Sequence, residues 1–109
     1  LGQALRKLER YDEAEQVFRD AFELHPRSAE CWVYFGFLKQ TRGDAAAALA
    51  AFERASELDP RHVIAQRQFG KALLDTPRAA EAHVPLRRAC ELEPEAAENW
   101  IYLARAEWK

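Results

Sequence analysis

Histidine and cysteine side chains are the first candidates for chemistry in this chain, because they bind metals and act as bases or nucleophiles. The 109 residues include three histidines and two cysteines. Cys31 and Cys90 lie far apart, without the close pairing of a zinc site or a disulfide framework. No histidine stands at metal-ligand spacing from a cysteine or a carboxylate. We therefore predict no metal site, and the isolated cysteines favour a reducing compartment such as the cytoplasm.

The other residue types that catalyse reactions occur without a catalytic pattern. Ser28, Ser56, Thr41 and Thr76 lie in no nucleophile motif. The glycines form no phosphate-binding loop, and the acidic run at 91–95 is expected to be solvated. We predict a protein that is not an enzyme and that needs no cofactor.

Composition and charge narrow the class of partner. The chain has 16 basic and 18 acidic side chains, which give a net charge of -2, so no overall field attracts nucleic acid or a membrane surface. No apolar run approaches the roughly 20 residues that span a bilayer. With 49% hydrophobic and 31% charged residues, the chain has the composition of a packed, water-exposed domain. We expect neither a nucleic acid nor a membrane as a direct partner.

A short phrase recurs along the chain and defines its organisation. Glu-Leu-His-Pro, Glu-Leu-Asp-Pro and Glu-Leu-Glu-Pro end at Pro26, Pro60 and Pro94, at a constant interval of 34 residues. Other positions fall into the same register: Gly2, Gly36 and Gly70; Ala14, Ala48 and Ala82; Phe18, Phe52 and Leu86; Ala21, Ala55 and Ala89. A period of this length indicates a stacked array of structural repeats.

Each repeat reads as a pair of helices. Apolar residues at steps of three and four predict the helices, and the proline phrase ends every second one. Asp12, Ser28 and Asp44 are predicted to cap helix starts, as is Thr76. The predicted helices are Leu1 to Glu9, Glu13 to Leu24, Ala29 to Thr41, Ala45 to Leu58, Val63 to Leu74, Arg78 to Leu92 and Ala96 to Trp108. Pro85 lies inside the sixth, where we expect a kink that is either tolerated at an outer face or bends the array.

One family shares this pattern of residues. In the second unit the pattern consists of Trp32, Phe35, Gly36, Ala48, Phe52, Ala55 and Pro60. It resembles the tetratricopeptide repeat, a 34-residue helix-turn-helix unit. The resemblance implies an all-α fold, a right-handed superhelix of antiparallel helix pairs. The implied units are a partial repeat 1–28, repeats 29–62 and 63–96, and a half repeat 97–109.

The chain departs from the family pattern at a few positions. Gln66 stands where the family usually has Trp, and Lys39 and Glu107 stand where it prefers Tyr, so we expect those helix ends to be more polar. The first unit also begins within a repeat, so we expect the chain to be part of a longer protein.

The resemblance places ligand-binding residues on the first helix of each pair, which lines a concave groove. The predicted peptide-binding residues are Arg6, Val33, Tyr34, Phe37, Gln40, Arg67, Lys71, Ile101 and Arg105. A groove that is both aromatic and locally basic suits a peptide with an apolar anchor and nearby acidic groups. Two alternatives stay open at this point: Val33 and Phe37 pack beneath a neighbouring first helix, and the charged residues are solvated surface.

We therefore predict a scaffold that binds a protein or peptide partner. The family includes a clamp that holds acidic C-terminal peptides of chaperones with Lys, Arg and Asn side chains. Here no Asn lies on the middle first helix, so that ligand is not predicted.

Three other functions are compatible with the same residues. The array could be a non-catalytic arm of a larger enzyme, such as a glycosyltransferase. The residues Trp100, Leu103, Ala104 and Glu107 also resemble the half-a-tetratricopeptide motif of RNA-processing scaffolds. Finally, Trp100 and Trp108 on the last helix predict end-to-end self-association.

Overall fold

The computed structural model describes residues 2–108, and the side chains of residues 10–107. Within that range the chain forms six α-helices, one 3-10 helix and no strand. The α-helices are α1 (Gly2–Leu24), α2 (Ala29–Thr41), α3 (Ala45–Leu58), α4 (Val63–Leu74), α5 (His83–Leu92) and α6 (Ala97–Trp108). Each α-helix packs on the next, while α4 also contacts α2 and α6. The predicted all-α array of helix pairs is confirmed.

Side-chain caps fix where the central helices begin. The Ser28 hydroxyl accepts a hydrogen bond from the Cys31 N–H at 3.3 Å, and the Asp44 carboxylate accepts one from the Ala47 N–H at 3.0 Å. His62 has the same role at the start of α4, since its Nδ1 accepts from Ala65 at 3.2 Å. These bonds satisfy backbone donors that a first helical turn leaves free. The caps at positions 28 and 44 confirm the prediction, whereas the cap at His62 was not predicted.

The first helix differs from the prediction. We expected two helices separated near Asp12, but α1 continues from Gly2 to Leu24 without a break. The turn between α2 and α3 depends on Gly43, whose φ of 84° is the left-handed conformation that glycine adopts without a steric cost. The residue 34 positions earlier is Glu9, which carries a Cβ and favours helix. The chain therefore stays helical there, and Asp12 caps nothing.

The sixth predicted helix is also divided differently. Residues Ala79–Ala82 form a 3-10 turn, and α5 begins only at His83. Pro85 therefore lies in the first turn of α5, where a backbone N–H would have no intrahelical acceptor. The expected kink within a continuous helix is replaced by a new helix start. Pro85 is buried, so tolerance at an outer face does not explain it.

Small residues allow the two helices of a pair to approach closely. A Cβ added at Gly36 would lie 2.6 Å from Cε1 of Phe52, and one added at Gly70 would overlap Leu86. Phe52 and Leu86 are completely buried and belong to the two core clusters. The recurring glycines are therefore packing positions, as their constant interval indicated.

The position usually filled by Trp has a polar function in this array. Trp100 Nε1 donates to the carbonyl oxygen of Pro94 at 2.8 Å. In the preceding unit the buried Gln66 donates through Nε2 to the carbonyl of Pro60 at 3.0 Å. An amide thus replaces an indole because both reach the carbonyl of the proline that ends the previous helix. This bond explains why Gln is accepted at position 66.

Candidate peptide-binding groove

The first helices α2, α4 and α6 lie side by side, and we call their exposed surface the groove face. Each contributes one large apolar side chain that is exposed: Tyr34 (54%), Ile64 (36%) and Ile101 (59%). Isolated exposed apolar residues are common, but three on neighbouring helices form a surface that an apolar ligand could cover. This surface includes two of the predicted site residues, Tyr34 and Ile101.

Val33 and Phe37 do not form the second apolar strip expected on α2. Val33 is only 2% exposed and packs in the core with Ala65 of α4, so its side chain is not available to a ligand. The alternative that it packs beneath the neighbouring first helix accounts for Val33. Phe37 is half-buried, with its ring centroid 5.5 Å from Phe52 and 6.3 Å from Tyr34. It therefore links the core to the exposed ring of Tyr34.

Basic side chains from α4 and α6 converge on one aromatic ring. Lys71 Nζ lies 5.5 Å from the centroid of the Tyr102 ring, and Arg105 Cζ lies 5.9 Å from it. These are distances at which a cation is attracted to an aromatic ring. Neither side chain, nor Arg67, has an ion-pair partner among the residues with described side chains. The predicted basic residues of α4 and α6 therefore lie together and are not neutralised by the chain.

A buried amide holds the third basic residue. Asn99 is completely buried, and its Nδ2 donates to the carbonyl of Ala89 at 3.2 Å. Its Oδ1 then faces α4 and accepts a hydrogen bond from Arg67 Nη1 at 3.5 Å. Arg67 Nε is buried and has no partner. We had considered Asn99 only because the family clamp needs an amide. A buried Asn one turn from an exposed Ile101 gave no sequence signal for contact with Arg67.

Two further predicted residues lie at the margins of this surface. Gln40 is exposed and lines a cleft of about 320 Å³ between the end of α2, the start of α3 and the end of α4. The other lining residues are Ala45, Ala46, Ala48, Leu49, Ala72, Asp75 and Thr76. The side chain of Arg6 lies outside the described residues.

The two positions where the family prefers Tyr form ion pairs away from the groove face. Lys39 Nζ lies 2.7 Å from Glu15 Oε1, which also accepts from Arg42 Nη1 at 2.6 Å. The hydrogen bond from Lys39, with that from Arg42, lowers the pKa of Glu15 below its ordinary value. Glu107 pairs with His83, with 3.1 Å between Oε1 and Nε2. The predicted polar helix ends therefore connect first helices to neighbouring elements.

Among residues with described side chains, no three His, Cys, Asp or Glu lie close enough together to hold a metal ion. Burial raises the pKa of the Cys90 thiol, which makes the nucleophilic thiolate less available. No helix within residues 2–108 is both long and apolar enough to cross a bilayer.

Comparison with known proteins identifies relatives of the whole chain. Tetratricopeptide repeat-containing protein trd-1 of Caenorhabditis elegans is 32% identical over 105 residues, which cover 95% of this chain and 13% of that protein. Two solved structures share the fold at lower identity. The first TPR of Spaghetti (RPAP3), bound to the HSP90 peptide SRMEEVD, superposes with a TM-score of 0.79 at 21% identity, over 98% of this chain and 85% of that one.

The second solved structure is the type III secretion chaperone SycD of Yersinia enterocolitica in complex with a peptide of the translocator YopD. It superposes with a TM-score of 0.76 at 18% identity, over 94% of this chain and 84% of that one. Family models described as tetratricopeptide repeat match residues 1–38 and 38–86. Their match covers most of the chain and agrees with the 34-residue interval and the paired helices, and we conclude that the chain belongs to the tetratricopeptide repeat family.

Proposed function

We propose that this chain is a protein-interaction module that binds a peptide, or an extended segment of a protein, across α2, α4 and α6. The proposed contact residues are Tyr34, Phe37, Gln40, Arg67, Lys71, Ile101 and Arg105. The observation that carries the proposal is the combination of exposed apolar side chains and unpaired cations on one face. Apolar anchors provide affinity in such grooves, while charged groups fix the register of the ligand.

The solved neighbours support a ligand of this kind. Spaghetti holds the HSP90 peptide SRMEEVD, and SycD holds a peptide of YopD. Both proteins therefore use this fold to bind peptides. Their identity to the present chain is low, so their peptides do not name its ligand. The first helices of this chain carry their own side chains, among them Tyr34 and Ile101.

The proposal is tested by changing exposed apolar residues on and off the groove face. Partners are captured from a cell lysate with immobilised chain and identified by mass spectrometry. Tyr34→Glu and Ile101→Glu are expected to lose partners that the unchanged chain retains. Val84 is 53% exposed on α5, outside the groove face, so Val84→Glu is the matched control. Capture that survives both groove changes, or that is lost equally with the control, would refute the assignment.

We also propose self-association as a second interaction, through the surface of α5 and α6. A cleft of about 410 Å³ lies there, lined by Arg87, Cys90, Glu91, Trp100, Leu103, Ala104 and Glu107. Trp100 is 49% exposed, so its indole offers apolar surface to a second copy. Light scattering should show a mass that rises with concentration and returns to the monomer value with Ala104→Glu. A constant monomer mass at high concentration would refute this proposal.

The enzyme-arm and RNA-processing interpretations stay predictions. The curated relative is much longer than this chain, which covers 13% of it, so any activity of the remainder is a separate question.

A further inference from the structure

We propose that Arg67, Lys71 and Arg105 form a subsite for carboxylates of a peptide ligand, with Tyr102 between two of the cations and Asn99 positioning the third. This inference rests on the proposed groove function and specifies its ligand as a peptide that carries Asp or Glu beside an apolar residue.

The first step is the accumulation of positive charge without internal compensation. Lys71 and Arg105 approach the same Tyr102 ring from α4 and α6, although like charges held near one another repel. Other basic residues of the chain are neutralised by carboxylates: Lys39 and Arg42 by Glu15, and Arg78 by Glu81. The groove cations have no such partner in the described part of the chain. A ligand carboxylate would relieve the repulsion and complete the pairing.

The second step is the constrained geometry of Arg67. Asn99 is buried and fixed by its bond to Ala89, so the oxygen that receives Arg67 Nη1 is held in place. Arg67 Nε is buried without a partner, which costs free energy that a neutral side chain would avoid. The terminal nitrogens are the part of the guanidinium left for a ligand, and their planar fork matches the two oxygens of a carboxylate. Asn99 is thus a positioning residue, and Arg67 is the residue that would touch the ligand.

The third step concerns the class of anion. The chain has a net charge of -2, and Glu30 and Glu98 are exposed on α2 and α6. These charges oppose a long polyanion such as a nucleic acid, which needs an extended basic surface. Exposed Ile101 lies next to Tyr102 in the sequence, so an apolar contact adjoins the three cations. This combination fits a short acidic segment with an apolar neighbour.

The test begins with selection from a displayed library of random 12-residue peptides, using the whole chain as bait. The selected peptides should share Asp or Glu beside an apolar residue. One of them is then synthesised, together with a version in which every Asp and Glu is replaced by its amide. Fluorescence polarisation should show that the acidic peptide binds about tenfold or more tightly than the amide version, and that its affinity falls as salt rises.

Variants then assign the effect to residues. Arg67→Gln, Lys71→Gln and Arg105→Gln should each weaken the acidic peptide about tenfold and leave the amide peptide nearly unchanged. Arg88→Gln is the matched control, since Arg88 is an exposed, unpaired cation on α5. Arg67→Lys should retain part of the affinity because the charge remains while the fork is lost. Asn99→Ala, confirmed as folded by circular dichroism, should weaken only the acidic peptide, whereas general destabilisation would weaken both.

The outcomes separate this inference from the function on which it rests. If selected peptides lack acidic residues but lose binding with Ile101→Glu, the groove function stands and the carboxylate subsite is wrong. The subsite is also wrong if the amide peptide binds equally well, or if Arg88→Gln weakens binding as much as Lys71→Gln. If no peptide is enriched, both proposals are overturned.

Discussion

Glu15 connects α1 to α2, and its replacement by Gln provides a quantitative test of that contact. Its Oε1 lies 2.7 Å from Lys39 Nζ and 2.6 Å from Arg42 Nη1, and the Glu15 side chain is only 15% exposed. Hydrogen bonds between charged groups contribute about 1.5–3 kcal/mol, and partial exposure of the cations reduces that contribution. An amide keeps an acceptor but loses the charge. We therefore expect Glu15→Gln to lower the free energy of unfolding by about 1–2 kcal/mol.

The pH dependence of this difference has a definite sign. Because the folded state lowers the pKa of Glu15, its stabilisation is present above the unfolded value of about 4.3 and is lost as pH falls through the folded value. The parent chain and Glu15→Gln should therefore differ at neutral pH and converge in acid. In a domain of this size the neutral-pH difference corresponds to a decrease in Tm of roughly 5–10 °C.

The assay is thermal and urea unfolding followed by circular dichroism between neutral and acid pH. Glu13→Gln is the control, since Glu13 is exposed on the same helix and takes part in no described ion pair. Equal stability of the parent and Glu15→Gln at neutral pH would refute the reasoning. A difference that stays constant into acid would also do so, because a protonated Glu15 cannot maintain these charge-assisted bonds.

Three further predictions concern stability and are checked by urea denaturation. Gly36→Ala should destabilise the chain by about 1 kcal/mol, because strain against Phe52 exceeds the gain in helix propensity, and a neutral or stabilising result would contradict the close approach. Asp44→Ala should cost about 1 kcal/mol through loss of the cap on Ala47, whereas Asp44→Asn should cost less. Pro85→Ala should stay within about 1 kcal/mol of the parent, because a first helical turn leaves that N–H without an intrahelical acceptor; a gain of about 3 kcal/mol would mean that the proline disrupts a helix interior.

Local signals determined how well the helices could be predicted. The bounds of α2, α3 and α4 agree with the prediction at both ends, because their starts carry capping residues and their ends meet glycine or proline turns. The failure in α1 has the converse cause, since no residue between Glu9 and Asp12 opposes helix. At Pro85 the error was to extend a helix upstream of a residue that is suited to a first turn.

The groove face was less predictable because it depends on contacts between repeats. Helical spacing identified Tyr34, Lys71 and Ile101 as surface candidates, but the same spacing could not distinguish Val33, which packs against α4. The link between Arg67 and Asn99 joins two units, and no periodicity within one helix reports such a contact. Core positions repeat every 34 residues, whereas groove positions carry a different side chain in each unit.

The bonds from Trp100 to Pro94 and from Gln66 to Pro60 have a consequence for how the array opens. Each bond ties a first helix to the turn that precedes it, so the joint between adjacent units is secured locally. In linear arrays, folding cooperativity depends on interactions between neighbours. Slow amide exchange should therefore extend across these joints, and replacing one donor should create a boundary at which the terminal units unfold separately.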